Sequence, residues 1–293
     1  MSVRFRLRFL PALCFLAAVS SMLAQEAGGD NGFVTPLANV AAPYAGKYEA
    51  RIGGSRESKN DKLRLDIGAS VDLYRWELNG REKGDAGMIA FGADFFTWTR
   101  LRASGGFKFP VEAVDYYFGV NAAMHRDAGL VSDLRLRVAH ISAHLVDGDP
   151  SFTDPAQQYI TYSREFIDLL AGLGMFPAGA RDPGVTLRPY LGVQWLFHTI
   201  PDTLGVITPY VGMDCAVQPD ADLPIVLRFG YEARLNTELA PVGEHLVRLG
   251  VKFGEVHSRG VMVEGSYYAG RSFYGQHFGN REEYLALGFG VEF

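Results

Sequence analysis

The stretch that most limits what this chain can fold into is its last one, Glu282 to Phe293, EEYLALGFGVEF. Leu285, Leu287, Phe289, Val291 and Phe293 alternate with Ala286, Gly288, Gly290 and Glu292. Side chains on a strand point alternately to opposite faces, so this is a ribbon with one aliphatic face and one small or polar face.

The same pattern recurs upstream. In Leu63 to Trp76, apolar Leu63, Leu65, Ile67, Val71 and Leu73 oppose Arg64, Asp66, Ser70 and Asp72. Ile225 to Leu235 sets Ile225, Leu227 and Phe229 against Arg228, Glu232 and Arg234. Leu246 to Phe253 and Val261 to Ala269 repeat it, with Arg248, Lys252 and Glu264 on the polar face. Weaker copies lie at 86–98, 114–126, 130–146, 159–173, 185–199 and 206–217, separated by Gly- or Asp-rich breaks. A short first strand at 47–54 and the terminal one bring the count to twelve.

Alternation alone fits a soluble sandwich as well as a membrane barrel. Three features favour the barrel: too many one-faced strands for one small core, glycines gathered on the polar face, and aromatics near strand ends. On that basis Trp98, Tyr116, Tyr117, Tyr159, Trp195, Phe197, Tyr210, Tyr267 and Tyr284 are expected at an outer rim. Tyr74, Trp76, Phe253 and Phe293 are expected at an inner one. A terminal strand closing on Phe also resembles the ending of bacterial outer-membrane barrels. The fold expected is all-β: a transmembrane antiparallel barrel of about twelve strands with short periplasmic turns.

Arg4, Arg6 and Arg8, the apolar run Phe9 to Val19 and a small residue at Ala24 read as a secretory signal over 1–24. Cys14 within it lacks the preceding small residue of a lipoprotein signal. Residues 25–46, with Pro36 and Pro43, read as an extended lead-in tucked into the barrel mouth, and 47–293 as the barrel. Removing 1–24 takes away three Arg and no acid, moving the formal net charge from −5 to −8. That balance argues against nucleic acid as a partner. Cys215 is then the single cysteine, so no internal disulfide framework can form. No apolar run after the signal reaches the ~18 residues of a spanning helix.

Charges on the polar strand faces would meet in a narrow lumen. Arg228, Glu232, Arg234, Arg248, Lys252, Glu264 and Glu292 are expected to pair there; the alternative is a solute channel.

The densest polar cluster is His140-x-Ser142-x-His144, followed by Asp147 and Asp149 and then Tyr162-Ser163-Arg164-Glu165. His140, Ser142 and His144 share parity with Leu134, Leu136 and Val138, so without a bulge they lie on the lipid face. Ser163 shares parity with Ile167 and Leu169. Residues two apart on a strand are ~6.5–7 Å apart at Cα, within reach of a His–Ser nucleophile pair. Ser163 or Glu165 on the next strand could orient the imidazole. Asp147, Asp149 and Ser151 begin like an oxygen-ligand Ca²⁺ loop, although Phe152 and Gln158 break the pattern.

The segments RVAHISAHLVDGD, YSREFIDLLAG and GRSFYGQHFGNREEYLALGFGVEF resemble the bacterial domain-of-unknown-function family 1207, which implies an outer-membrane barrel without a known activity. A more distant resemblance is to the outer-membrane phospholipase A family. It implies a lipid acyl hydrolase with a lipid-facing His-x-Ser pair, matched by His140 and Ser142, with Ser163 where an Asn is expected. It further implies Ca²⁺ near Asp147 and Asp149, and a homodimer. The same segments supply Arg164, Glu165, Arg271 and Ser272 as candidate binding residues. Outer-membrane lipids and the barrel assembly machinery are the partners this implies, and the outer membrane the location.

Overall fold

The computed structural model describes residues 32–33, 42–59, 61–78, 87–126, 129–149, 151–152, 160–173, 184–220, 223–254 and 259–292. The expected signal segment, most of the lead-in, Tyr159 and Phe293 lie outside these residues. Among the described residues one antiparallel sheet accounts for all the strands. β1 (Gly32–Phe33) pairs with β3 (Lys62–Leu78), opposite Arg75 and Tyr74.

The other twelve strands close a ring. They run as β2 (Ile52–Glu57), β3, β4 (Gly87–Arg102), β5 (Val111–Arg126), β6 (Val131–Leu145), β7 (Tyr162–Leu173), β8 (Val185–Ile200) and β9 (Ile207–Val217), then β10 (Ile225–Asn236), β11 (Val242–Phe253), β12 (Gly260–Arg271) and β13 (Arg281–Glu292). β13 pairs back onto β2, Phe289 opposite Gly54, so the sheet has no open edge at the seam. Most strands exceed the roughly 9–11 residues needed to cross a bilayer. The twelve-strand closed antiparallel barrel is the architecture expected from the alternation.

The aliphatic stripes face outward. Leu285 and Leu287 are 60 % and 69 % exposed, and Ile67, Phe91, Val120 and Leu249 are each at least half exposed. Such a belt in water would be an aggregation surface; facing hydrocarbon, it is the outer wall of an outer-membrane-type barrel. The aromatics divide differently from expectation. Tyr116, Trp195 and Phe197 share the outward face with the aliphatic belt, but Trp98, Tyr117, Tyr210 and Tyr284 turn into the lumen and are buried. Position near a strand end does not decide the face; parity does.

The lumen is filled from both ends. The expected first strand over 47–54 begins instead at Ile52, because residues 43–51 are drawn inside by ion pairs. Arg135 and Arg137 both fork onto Glu49, with Arg137 Nη2 2.8 Å from Oε2 and Arg135 Nη1 3.0 Å from the same oxygen. Lys47 Nζ donates to Glu244 Oε2 at 2.8 Å, and Arg51 Nη2 to Glu264 at 2.6 Å. Tyr44 and Ala45 pass so close to the wall that a Cβ on Gly250 would sit 2.4 Å from Tyr44 Oη, and one on Gly230 2.8 Å from Ala45 Cβ. Glycine on the polar face is what makes room for this segment.

From the other end, 272–280 folds inward. Trp98 Nε1 donates to the Phe273 carbonyl at 3.1 Å, and Asp115 Oδ2 accepts from Gly275 N at 2.8 Å. Phe273, Tyr274, Tyr268 and Tyr48 form an aromatic core between the two insertions. The expected wall pairs are present: Arg228–Glu292 at 2.7 Å, Lys252–Glu292 at 3.1 Å, Arg234–Glu232 at 3.1 Å and Arg248–Glu264 at 2.8 Å. The space left between Arg51, Arg64, Arg248 and Glu264 is about 20 Å³, room for little more than one water.

Candidate functional site

β6 and β7 run in register from Asp133 to Ala143 without a shift, and that register sets the site. Arg135, Arg137, Ala139, Ile141 and Ala143 are buried in the lumen, whereas Leu134, Leu136, Val138, His140, Ser142 and His144 face out. Ser142 stands opposite Ser163, and His140 opposite Glu165. All four share the outer face, near the Leu145 end of β6 and the Tyr162 end of β7.

His140 Nδ1 lies 2.6 Å from Glu165 Oε1, and Ser163 Oγ donates to the same oxygen at 3.1 Å. Across β8, His198 Nδ1 bonds the other oxygen, Oε2. One carboxylate thus gathers two imidazoles and a hydroxyl from three adjacent strands. His140 is 38 % and Glu165 26 % exposed at the side chain, so the cluster is open to a molecule at the wall. The Phe118 ring lies 6.3 Å from that of His140, and Tyr116 meets His144 edge-on at 5.6 Å. The polar group is therefore rimmed by aromatics, suited to an interface between hydrocarbon and water.

The arrangement is that of an oriented base. A carboxylate on Nδ1 fixes the tautomer and leaves Nε2 to accept a proton. Ser142, two residues along the strand, is the nearest hydroxyl on that face in sequence, and its Oγ makes no hydrogen bond among the described residues. Of the two candidates for the orienting group, Glu165 takes the imidazole, and Ser163 bonds Glu165 instead.

His198 escaped the sequence reading for a physical reason. Along β8, Gln194 and Leu196 are buried, so strict alternation puts residue 198 in the lumen. The register instead shifts between Glu165 and Phe166: Glu165 faces His198 while Phe166 faces Leu196. Phe197 is the extra residue of a bulge, which returns His198 to the outer face.

The remaining candidates lie elsewhere. Arg164 points inward onto Glu238 and stacks over Tyr48 at 4.7 Å. Arg271 donates to the Gly279 and Ala240 carbonyls at 3.0 and 3.1 Å, and Ser272 Oγ to Glu282 at 3.0 Å. These three hold lumen and loop rather than the rim cluster. Asp147 is exposed. Asp149 Oδ1 is occupied by the Ser151 amide at 2.8 Å and by its hydroxyl. Burial would raise the Asp149 carboxyl, but those Ser151 hydrogen bonds bring it below its ordinary value. Its other oxygen, Oδ2, lies 3.5 Å from His277 Nε2; among the described residues no three His, Cys, Asp or Glu side chains converge as a metal site. The Ca²⁺ expectation at Asp147 and Asp149 extends onto residues 150 and 153–159, which lie outside the described residues.

No protein-family model matches the chain, and no curated protein sequence does. The likeness to family 1207 thus rests on the quoted segments alone. Among solved structures, outer membrane phospholipase A from Escherichia coli is similar at 12 % identity and TM-score 0.47, over 83 % of this chain and 92 % of that one. The Salmonella typhi outer membrane phospholipase dimer with bound calcium is similar at 14 % identity and TM-score 0.46, over 86 % and 92 %. The transport unit of the autotransporter AIDA-I from Escherichia coli is similar at 12 % and 0.42, over 99 % of each chain. No residue role passes from them to this chain.

Proposed function

We propose that this barrel resides in the outer membrane and hydrolyses acyl esters of membrane lipids at its rim, with Ser142 as nucleophile, His140 as base and Glu165 as the group that orients the base. Export by segment 1–24 and insertion by the barrel assembly machinery belong to the same reading. The observation that supports it most is the 2.6 Å contact between His140 Nδ1 and Glu165 Oε1 on the outward face, beside Ser142. Ser142 Oγ attacks the ester carbonyl while its proton passes to His140 Nε2. His140 then gives that proton to the departing alcohol, and water repeats the sequence to free the fatty acid. An ester held among the aliphatic side chains of β5–β8 would bring its carbonyl to this level without leaving the membrane.

The test is fatty-acid release from phosphatidylcholine in mixed micelles. Ser142→Ala is expected to lower kcat by at least about 10³-fold, while the folded barrel keeps its heat-modifiable mobility on gels. Equal release by variant and wild type overturns the proposal.

A further inference from the structure

Glu165 is a long side chain on an outward wall, and nothing in the barrel core holds it. Left alone it would sample several rotamers, and an orienting carboxylate that wanders orients nothing. Two donors besides His140 restrain it: the Ser163 hydroxyl on Oε1 and His198 Nδ1 on Oε2. His198 reaches that oxygen only because Phe197 bulges out of the β7–β8 register. Bulges of this kind re-aim side chains, often next to active sites.

Resting on the acyl-hydrolase reading above, we propose that His198 is a positioning residue: its bond to Oε2 pins Glu165 with Oε1 turned to His140. The chemistry follows from charge. When Ser142 attacks, its proton moves to His140, and the imidazolium so formed is stabilised by the Glu165 anion. His198 Nδ1, bonded to Oε2, keeps that carboxylate in place and its Oε1 on His140 Nδ1. No proton of the reaction is retained by His198.

Among the described residues, the groups facing Glu165 come from three strands. β6 contributes His140, with Ser142 and His144 further along; β7 contributes Ser163; β8 contributes His198. Arg164 is turned into the lumen onto Glu238 and takes no part.

The experiment measures kcat and KM for wild type, His198→Asn, His198→Ala and Ser142→Ala in the same micelles. His198→Asn keeps an N–H donor where Nδ1 stands. His198→Ala should lower kcat about tenfold, within the range typical of a lost positioning contact, with KM unchanged and partial recovery in His198→Asn. An inactive Ser142→Ala together with a His198→Ala kcat equal to that of wild type overturns this proposal alone. A fully active Ser142→Ala overturns the hydrolase reading, and this proposal with it.

Discussion

Glu49 and Glu165 lie on opposite sides of the same wall, and both gather several donors onto one carboxylate. Glu49, inside, is gripped by the guanidinium groups of Arg135 and Arg137, themselves 1–2 % exposed. Glu165, outside, is held by two imidazoles and a hydroxyl and remains partly open. Guanidinium stays charged at every accessible pH, so the inner cluster can only hold. Imidazole has a donor at one nitrogen and an acceptor at the other, which is what the proposed hydrolysis uses. The same sheet thus carries a clamp on one face and the proposed site on the other.

That contrast breaks cleanly under substitution. The largest effect on turnover is expected from Glu165→Gln, which keeps the shape but loses the anion: kcat should fall by about 10²–10⁴-fold, with the unfolding midpoint in urea within experimental scatter of wild type. Glu49→Gln should do the reverse. It takes the shared carboxylate from buried Arg135 and Arg137, leaving them the longer contacts with Asp168 at 4.0 Å and Asp94 at 3.4 Å, at a cost of up to about 3–5 kcal/mol, read as a lower urea midpoint of the detergent-folded barrel, while turnover of the folded fraction is unchanged. If both variants lose activity and stability together, the two faces are not separable and the comparison fails. Ser163→Ala removes one of three donors from Glu165 and should lower kcat only a few-fold, since the carboxylate is partly exposed and keeps its bonds to both imidazoles.

The smallest effect concerns the loop insertion over the lumen. Burial, and then the neighbouring Arg100 cation, hold the His277 imidazole below its usual value. A base whose folded value is depressed supports the docked loop fully above about pH 6.5, its ordinary value; that support is lost as pH falls toward the folded value. Acidification should therefore loosen 272–280, seen as faster protease cleavage there and as a change in emission of Trp98, which bonds the Phe273 carbonyl. His277→Asn should flatten this dependence. Cleavage that is equally slow at pH 5 and pH 8 would contradict it.

Much of this was legible in residue order because a strand has only two faces. The parity of Leu134, Leu136 and Val138 placed His140 and Ser142 outside, and that of Ile167 and Leu169 placed Ser163 beside them. The lumen pairs of Arg228, Arg234, Arg248 and Lys252 were visible for the same reason. Parity fails where the ladder gains a residue: the Phe197 bulge sends His198 to the face that alternation denies it. Pattern also could not show that 47–51 leave the wall, since that depends on Glu244, Glu264, Arg135 and Arg137, all distant in sequence. Tyr117 and Tyr210 were misjudged at the rim because closeness to a strand end was weighed above face.

The most direct test of a reactive serine on the membrane-facing wall is covalent. The detergent-folded barrel, incubated with a long-chain alkyl sulfonyl fluoride and digested, should yield one adduct, on the peptide carrying Ser142, and none after His140→Ala. Unmodified Ser142, or equal labelling in the His140→Ala variant, would contradict a base-activated nucleophile at this site.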